Sequence, residues 1–329
     1  MNHLFDQARR RAADLWLSMW SPTTATMRRW ALAAVVANAG ITVTGAAVRV
    51  TKSGLGCPTW PRCTPESLLP TAHSGISAAN MAVEFGNRLL AFLVLAAGLG
   101  CLIAAARLAP RRRVLIGLAL VQPAGVVAQS VWGGLVVRSA LNPVTVSVHF
   151  LLSIALLAAC VALYVRAGEG DGAPESLVHR DIRILGYALV AAVAVLLVVG
   201  VVVTGTGPHS GDEIATRFPF DIQAVVRLHA DVVYVVLGLT LALLLTLRVS
   251  GAPAHARRAA LVLLGVELAQ GVVGYVQYFL AVPAVLVGVH VFGATLVWIF
   301  TLRAVYALRA RPALAVPSAG RERLDPVPA

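Results

Sequence analysis

Three histidines sit where histidine is costly. His149, His229 and His290 each lie a few residues inside a long apolar run. A lone imidazole in such a run commonly hydrogen-bonds a neighbouring helix. Three at one depth ask for another reason. At about 1.5 Å of rise per residue, each falls roughly 8–10 Å from the same end of its run. Two imidazoles facing each other across a helical bundle form an axial pair for a haem iron. His229 and His290 read as such a pair, and the small residues Ala230, Gly288 and Gly293 leave room for a porphyrin. The remaining histidines are less informative. His3, His179 and His255 read as solvated, and His73 and His209, in loops, are undecided.

Glu84 is a carboxylate at the edge of an apolar run, a functional candidate by position. An ion pair with Arg88, four residues on, is the plainer account. Cys57 and Cys63 share a loop, whereas Cys101 and Cys160 lie within apolar runs and read as small core residues. Arg49, Arg88, Arg138 and Arg227 lie at the ends of runs near the histidine depth. They can snorkel to an interface, pair bidentately with a carboxylate such as a haem propionate, or do both.

The elements that must position these groups follow from composition. Of 329 residues, 58% are hydrophobic and 13% charged, and the mean hydropathy is +0.80. A soluble domain carries about 25% charge. A soluble enzyme, a disordered chain and a disulfide-rich module are excluded, and long continuous runs exclude a transmembrane barrel. The expected fold class is an all-α membrane protein with eight transmembrane helices, near 30–48, 82–106, 114–137, 144–165, 184–206, 223–247, 259–279 and 285–307. The first reads as a retained helix, not a signal peptide.

Net charge is +12. The excess reads as a topology signal rather than a nucleic-acid footprint. Twenty basic residues, including Arg9, Arg10, Arg11, Arg112, Arg257, Arg321 and Arg323, fall in the termini and alternate connections; seven fall in the others. The positive-inside rule then puts both termini in the cytoplasm. On the outer side of a bacterial membrane thiols tend to be oxidised, so a Cys57–Cys63 disulfide is expected.

The two halves echo each other. The run Gly40–Gly45 matches Gly200–Gly205; Gln129, Gly133 and His149 match Gln270, Gly274 and His290. Four helices per half give a parallel repeat, about an axis along the membrane normal. The expected organisation is a cytoplasmic arm (1–29), a four-helix bundle (30–165) with an outer loop (49–81), a linker (166–183), a second bundle (184–307) and a cytoplasmic tail (308–329). His229 finds its counterpart at Asn87, a poor iron ligand. The first bundle thus offers one imidazole, and an iron held on one side is open to chemistry.

At this point the residues resemble the heme A synthase family over about 30–307. The resemblance rests on the loop Gly45 to Cys63, which includes Ser53-Gly54-Leu55-Gly56-Cys57-Pro58-Thr59-Trp60-Pro61-Arg62-Cys63. It also rests on Glu84-Phe85-Gly86-Asn87-Arg88, on Thr204-Gly205-Thr206-Gly207-Pro208-His209-Ser210-Gly211-Asp212, and on the three helix histidines. Two features depart from the family: Asn87 stands for a histidine, and 207–222 lacks a cysteine pair that some members carry.

The resemblance implies an oxidoreductase of the bacterial cytoplasmic membrane. It would oxidise the C8 methyl of haem O to a formyl group, giving haem A for terminal oxidases. Haem b would sit on His229 and His290, and haem O on His149. Glu84 would accept a proton or stabilise positive charge. Haem O synthase and the terminal oxidase assembly pathway would be the partners. The Cys57–Cys63 pair would be a staple or, as the resemblance favours, redox-active. Two rival readings are a membrane cytochrome b oxidising quinol, which leaves Glu84 and the cysteine loop idle, and a parallel-repeat transporter, which leaves three level histidines unexplained.

Overall fold

The computed structural model describes residues 21–71 and 75–312. His3, His73, Arg9, Arg10, Arg11, Arg321 and Arg323 lie outside them. Among the described residues, eight helices are long and apolar enough to cross a membrane. They are α1 (Thr24–Val50), α2 (Ala78–Arg107), α3 (Arg113–Arg138), α4 (Pro143–Gly168), α5 (Arg180–Thr206), α6 (Ile222–Val249), α7 (Ala254–Phe279) and α8 (Ala284–Tyr306). The chain is a mostly helical, multi-pass integral membrane protein.

Seven of the expected spans lie wholly inside these helices; the eighth overruns by one residue. The helices are longer than the apolar runs because their ends continue into polar sequence. Side-chain caps set several starts: Thr23 accepts from Thr26 N–H, Ser77 from Asn80, and Asp221 from Ala224. Asn142 caps α4, with Pro143 following in the first turn.

Within the first four helices, α1 and α3 each pack on α2 and α4; within the last four, α5 and α7 each pack on α6 and α8. The two sets meet where α8 lies against α1 and α4, and α4 against α5. Trp298 of α8 donates its indole N–H to Ile154 O of α4 across this seam, at 3.0 Å.

The packed core is not centred. Its largest cluster uses Met27 early in α1, Leu115 early in α3, Leu163 late in α4, Leu247 late in α6 and Leu263 in the first half of α7. All point to the end of the molecule where 108–112, 169–179 and 250–253 connect the helices, here the linker end. The opposite end carries 51–77 and 207–221, here the loop end, and holds all three membrane histidines. There the histidines are only half-buried.

A short antiparallel pair, β1 (Glu175–Ser176) with β2 (Arg309–Ala310), ties the linker to the chain after α8. Hydropathy gave no sign of it. Glu169 sits beneath it, 2.7 Å from Arg166, 3.6 Å from Arg309 and 3.8 Å from Arg311.

At the loop end, α3 turns into α4 through Ala140 and Leu141, at φ 50° and 58°; α7 turns into α8 through Ala281 and Val282, at φ 58° and 61°. Left-handed backbone is unusual for such residues. Both turns are closed alike: Leu141 N–H bonds Val136 O, and Val282 N–H bonds Gln277 O.

Candidate functional site

His229 on α6 and His290 on α8 face each other, with ring centres 6.3 Å apart and planes at 58°. Metal–imidazole bonds of about 2 Å on either side of one ion would place two ring centres about 6 Å apart. Nδ1 of each ring is buried without a hydrogen-bond partner, as is Nδ1 of His149. The hydrogen bond to a neighbouring helix, the plain account of a membrane histidine, is therefore not what these rings make.

Glycines back the rings. A Cβ at Gly200 of α5 would lie 3.4 Å from His229 Cε1, and one at Gly274 of α7 would lie 3.3 Å from His290 Cε1. In the first four helices Gly133 of α3 backs His149 of α4 at 3.5 Å. Glutamines fix the same histidines by the backbone. Gln270 donates to His290 O at 2.8 Å and Gln129 to His149 O at 3.2 Å. Gly293, expected to make room for a porphyrin, instead makes room for Gln270, whose Oε1 would meet any Cβ there.

Glu84, on α2, is 5% exposed. Its Oε1 accepts from Arg88 Nε and Nη2, and its Oε2 accepts the Cys57 N–H at 2.6 Å. Arg88 goes on to donate to Cys57 O, Thr59 O and Arg62 O. Together Glu84 and Arg88 hold the loop that carries the Cys57–Cys63 disulfide. Both cysteines are buried against Met81 of α2. Trp60 of the same loop packs on Gly134, and its carbonyl accepts from Arg138 at 3.2 Å. Asn87 lies on the same helix with its Oδ1 accepting from Thr44 of α1 at 2.7 Å.

The four arginines divide. Arg88 and Arg138 serve the disulfide loop. Arg49 crosses to the second half, donating to His209 O at 2.6 Å and Thr204 O at 2.9 Å. Arg227 is exposed, with no hydrogen bond or ion pair among the described residues. His209 is resolved as a latch, its Nε2 within 2.9 Å of Val282 O. Nearby Lys52 meets Glu213 at 2.9 Å, and this ammonium holds the exposed Glu213 carboxyl below its usual range.

The donor set fits a haem. Among the described residues, no three His, Cys, Asp or Glu gather as a metal site. Two opposed imidazoles instead suit a metal that brings its own equatorial ligands. Sequence reasoning picked out Gly133, Gly200 and Gly274 as repeat positions but missed that they back the rings, which only the fold reveals. It also missed Glu267, buried in α7 and bonded to Thr240 at 2.9 Å. A lone carboxylate in an apolar run was the available signal.

A comparison with curated proteins finds no match. A family model described as COX15-CtaA, cytochrome oxidase assembly protein, matches residues 28–302, from early α1 to late in α8. The chain belongs to this family of cytochrome oxidase assembly proteins.

Proposed function

We propose that the protein is a heme A synthase, oxidising the C8 methyl of haem O to a formyl group. The carrying observation is the opposed His229–His290 pair beside a second, half-equipped site at His149. In this reading the pair holds haem b and His149 holds the substrate haem on one side only. Asn87 is engaged by Thr44, which supports an open second face. Haem b supplies one-electron transfer when bound.

The chain's own residues do the rest. Glu84 keeps a negative charge beside the open site, where positive charge develops as the methyl is oxidised. Three donors already occupy its oxygens, which favours charge stabilisation over proton acceptance. Arg88 orients that carboxylate. The disulfide loop shields the site from water, and Trp60 with Arg138 anchors it to α3. Arg227, unpaired, is the arginine best placed to meet a propionate.

The reading includes a parallel repeat, supported by the paired glutamine–histidine bonds and the two left-handed turns. Both termini lie in the cytoplasm, in a bacterial cytoplasmic membrane. Haem O synthase would deliver the substrate and the oxidase assembly machinery would accept the product.

The test is an optical spectrum of purified protein with chromatography of its extracted haems. A low-spin haem b signal that is lost in His229→Ala or His290→Ala supports the reading. A Soret band unchanged in both variants would overturn the ligand assignment.

A further inference from the structure

Glu267 has no use in this account and is the most anomalous group in the second half. It is 6% exposed. Thr240 of α6, itself fully buried, donates to Oε1; Oε2 is buried with no partner. The helices packed on α7 are α6 and α8. Their ionisable groups are Arg227, His229, Asp231, Tyr234 and Arg248 on α6, and His290, Arg303 and Tyr306 on α8. None makes a hydrogen bond or ion pair with Glu267. An isolated carboxylate ion in an apolar interior is strongly disfavoured.

Its place in the fold gives the group a context. Glu267 is one helical turn from Gln270, which holds His290 O. On its other side Leu263 belongs to the sealed linker-end core. The spacing that relates Gln129 to Gln270 and His149 to His290 takes Glu267 to Val126, which is also buried. The carboxylate thus occurs beside the two-histidine site and not beside the one-histidine site.

We propose that Glu267 takes up one proton when a haem held by His229 and His290 is reduced, and releases it on oxidation. The inference rests on the haem reading above. An oxidised haem core carries one net positive charge, three from iron against two from the porphyrin. That charge would favour ionised Glu267, with which none of the arginines on α6 and α8 makes an ion pair. Reduction by an external one-electron donor removes it. The electron enters the iron, a proton from water forms the O–H bond at Glu267, and no net charge is added to the bundle. A unit charge about 10 Å away, at an effective dielectric of about 20, changes the proton affinity of a carboxyl by about tenfold.

Spectroelectrochemical titration of the full chain loaded with haem b, from mildly acid to mildly alkaline pH, tests this. In the parental protein the reduction equilibrium should fall with pH by about tenfold in all, about 59 mV, across that range. Glu267→Gln keeps the shape and the Thr240 bond. It should keep the low-spin spectrum and lose most of the slope; an unaltered slope would overturn the proposal. Redox-difference infrared spectra of the parental protein need no variant. Reduction should produce a protonated-carboxyl stretch, and absence of that band overturns the proposal equally. A parental protein with no low-spin haem would instead overturn the haem reading itself, and this inference with it.

Discussion

The Glu84 carboxylate accepts the backbone N–H of Cys57 at 2.6 Å, so a side chain of a membrane helix bonds directly to the backbone of the disulfide loop. The same carboxylate is clamped by Arg88, which also holds three carbonyls of that loop. The charge proposed to act on the substrate is therefore positioned by the loop that covers it.

Glu84→Gln keeps the shape and removes the charge. Expression and the haem b spectrum should be normal. Haem A formation should drop by about a hundredfold, the lower range for a group that stabilises charge developing at a reacting centre. Haem O should accumulate, with some hydroxylated intermediate. Chromatography of acid-extracted haems reads this, and haem A at the parental rate would make the carboxylate structural only.

Thiol titration checks the loop. Cys57 and Cys63 are bonded, and Cys101 and Cys160 are buried and free. Unfolded but unreduced protein should show two thiols, and four after reduction. Four without reductant would contradict the pairing.

A side chain at Gly274 would press on His290, whereas Gly265 on the same helix faces open space. Gly274→Leu should displace the imidazole and abolish the low-spin spectrum. Gly265→Ala should leave it intact. Equal spectra in the two variants would disconnect Gly274 from the site.

Glu169→Gln should lower thermal stability without changing haem conversion per folded molecule. The carboxylate meets Arg166, Arg309 and Arg311 in a partly buried cluster. A loss of about 2 kcal/mol is expected, between exposed and buried ion pairs. A thermal aggregation midpoint equal to that of the parental protein would contradict this.

The spans were legible because twenty-residue apolar runs have few other uses in a polypeptide. His229 and His290 were legible as polar intrusions at matching depth. What joins them was not. Gly200 and Gly274 are visible in the sequence as repeat positions, but their contact with the rings appears only when α5 and α7 are placed beside α6 and α8. The contact of Glu84 with Cys57 spans 27 residues and depends on how the loop folds back. Arg49 was grouped with the site by depth alone, yet its guanidinium bonds two carbonyls of the second half. The β1–β2 pair is too short to leave a hydropathy pattern. Glu267 carried the same signal as Glu84 and differs mainly in lying deeper in its run, away from the ends where charge draws attention.

The central claim is conversion of haem O to haem A. Its most direct test is expression of the chain in a bacterial host that makes haem O and lacks haem A, followed by chromatography of acid-extracted membrane haems. The account predicts that haem A appears in cells with the parental chain and not in cells with His229→Ala. Membrane-inserted parental protein carrying low-spin haem b, with haem O but no haem A in the extract, would contradict it.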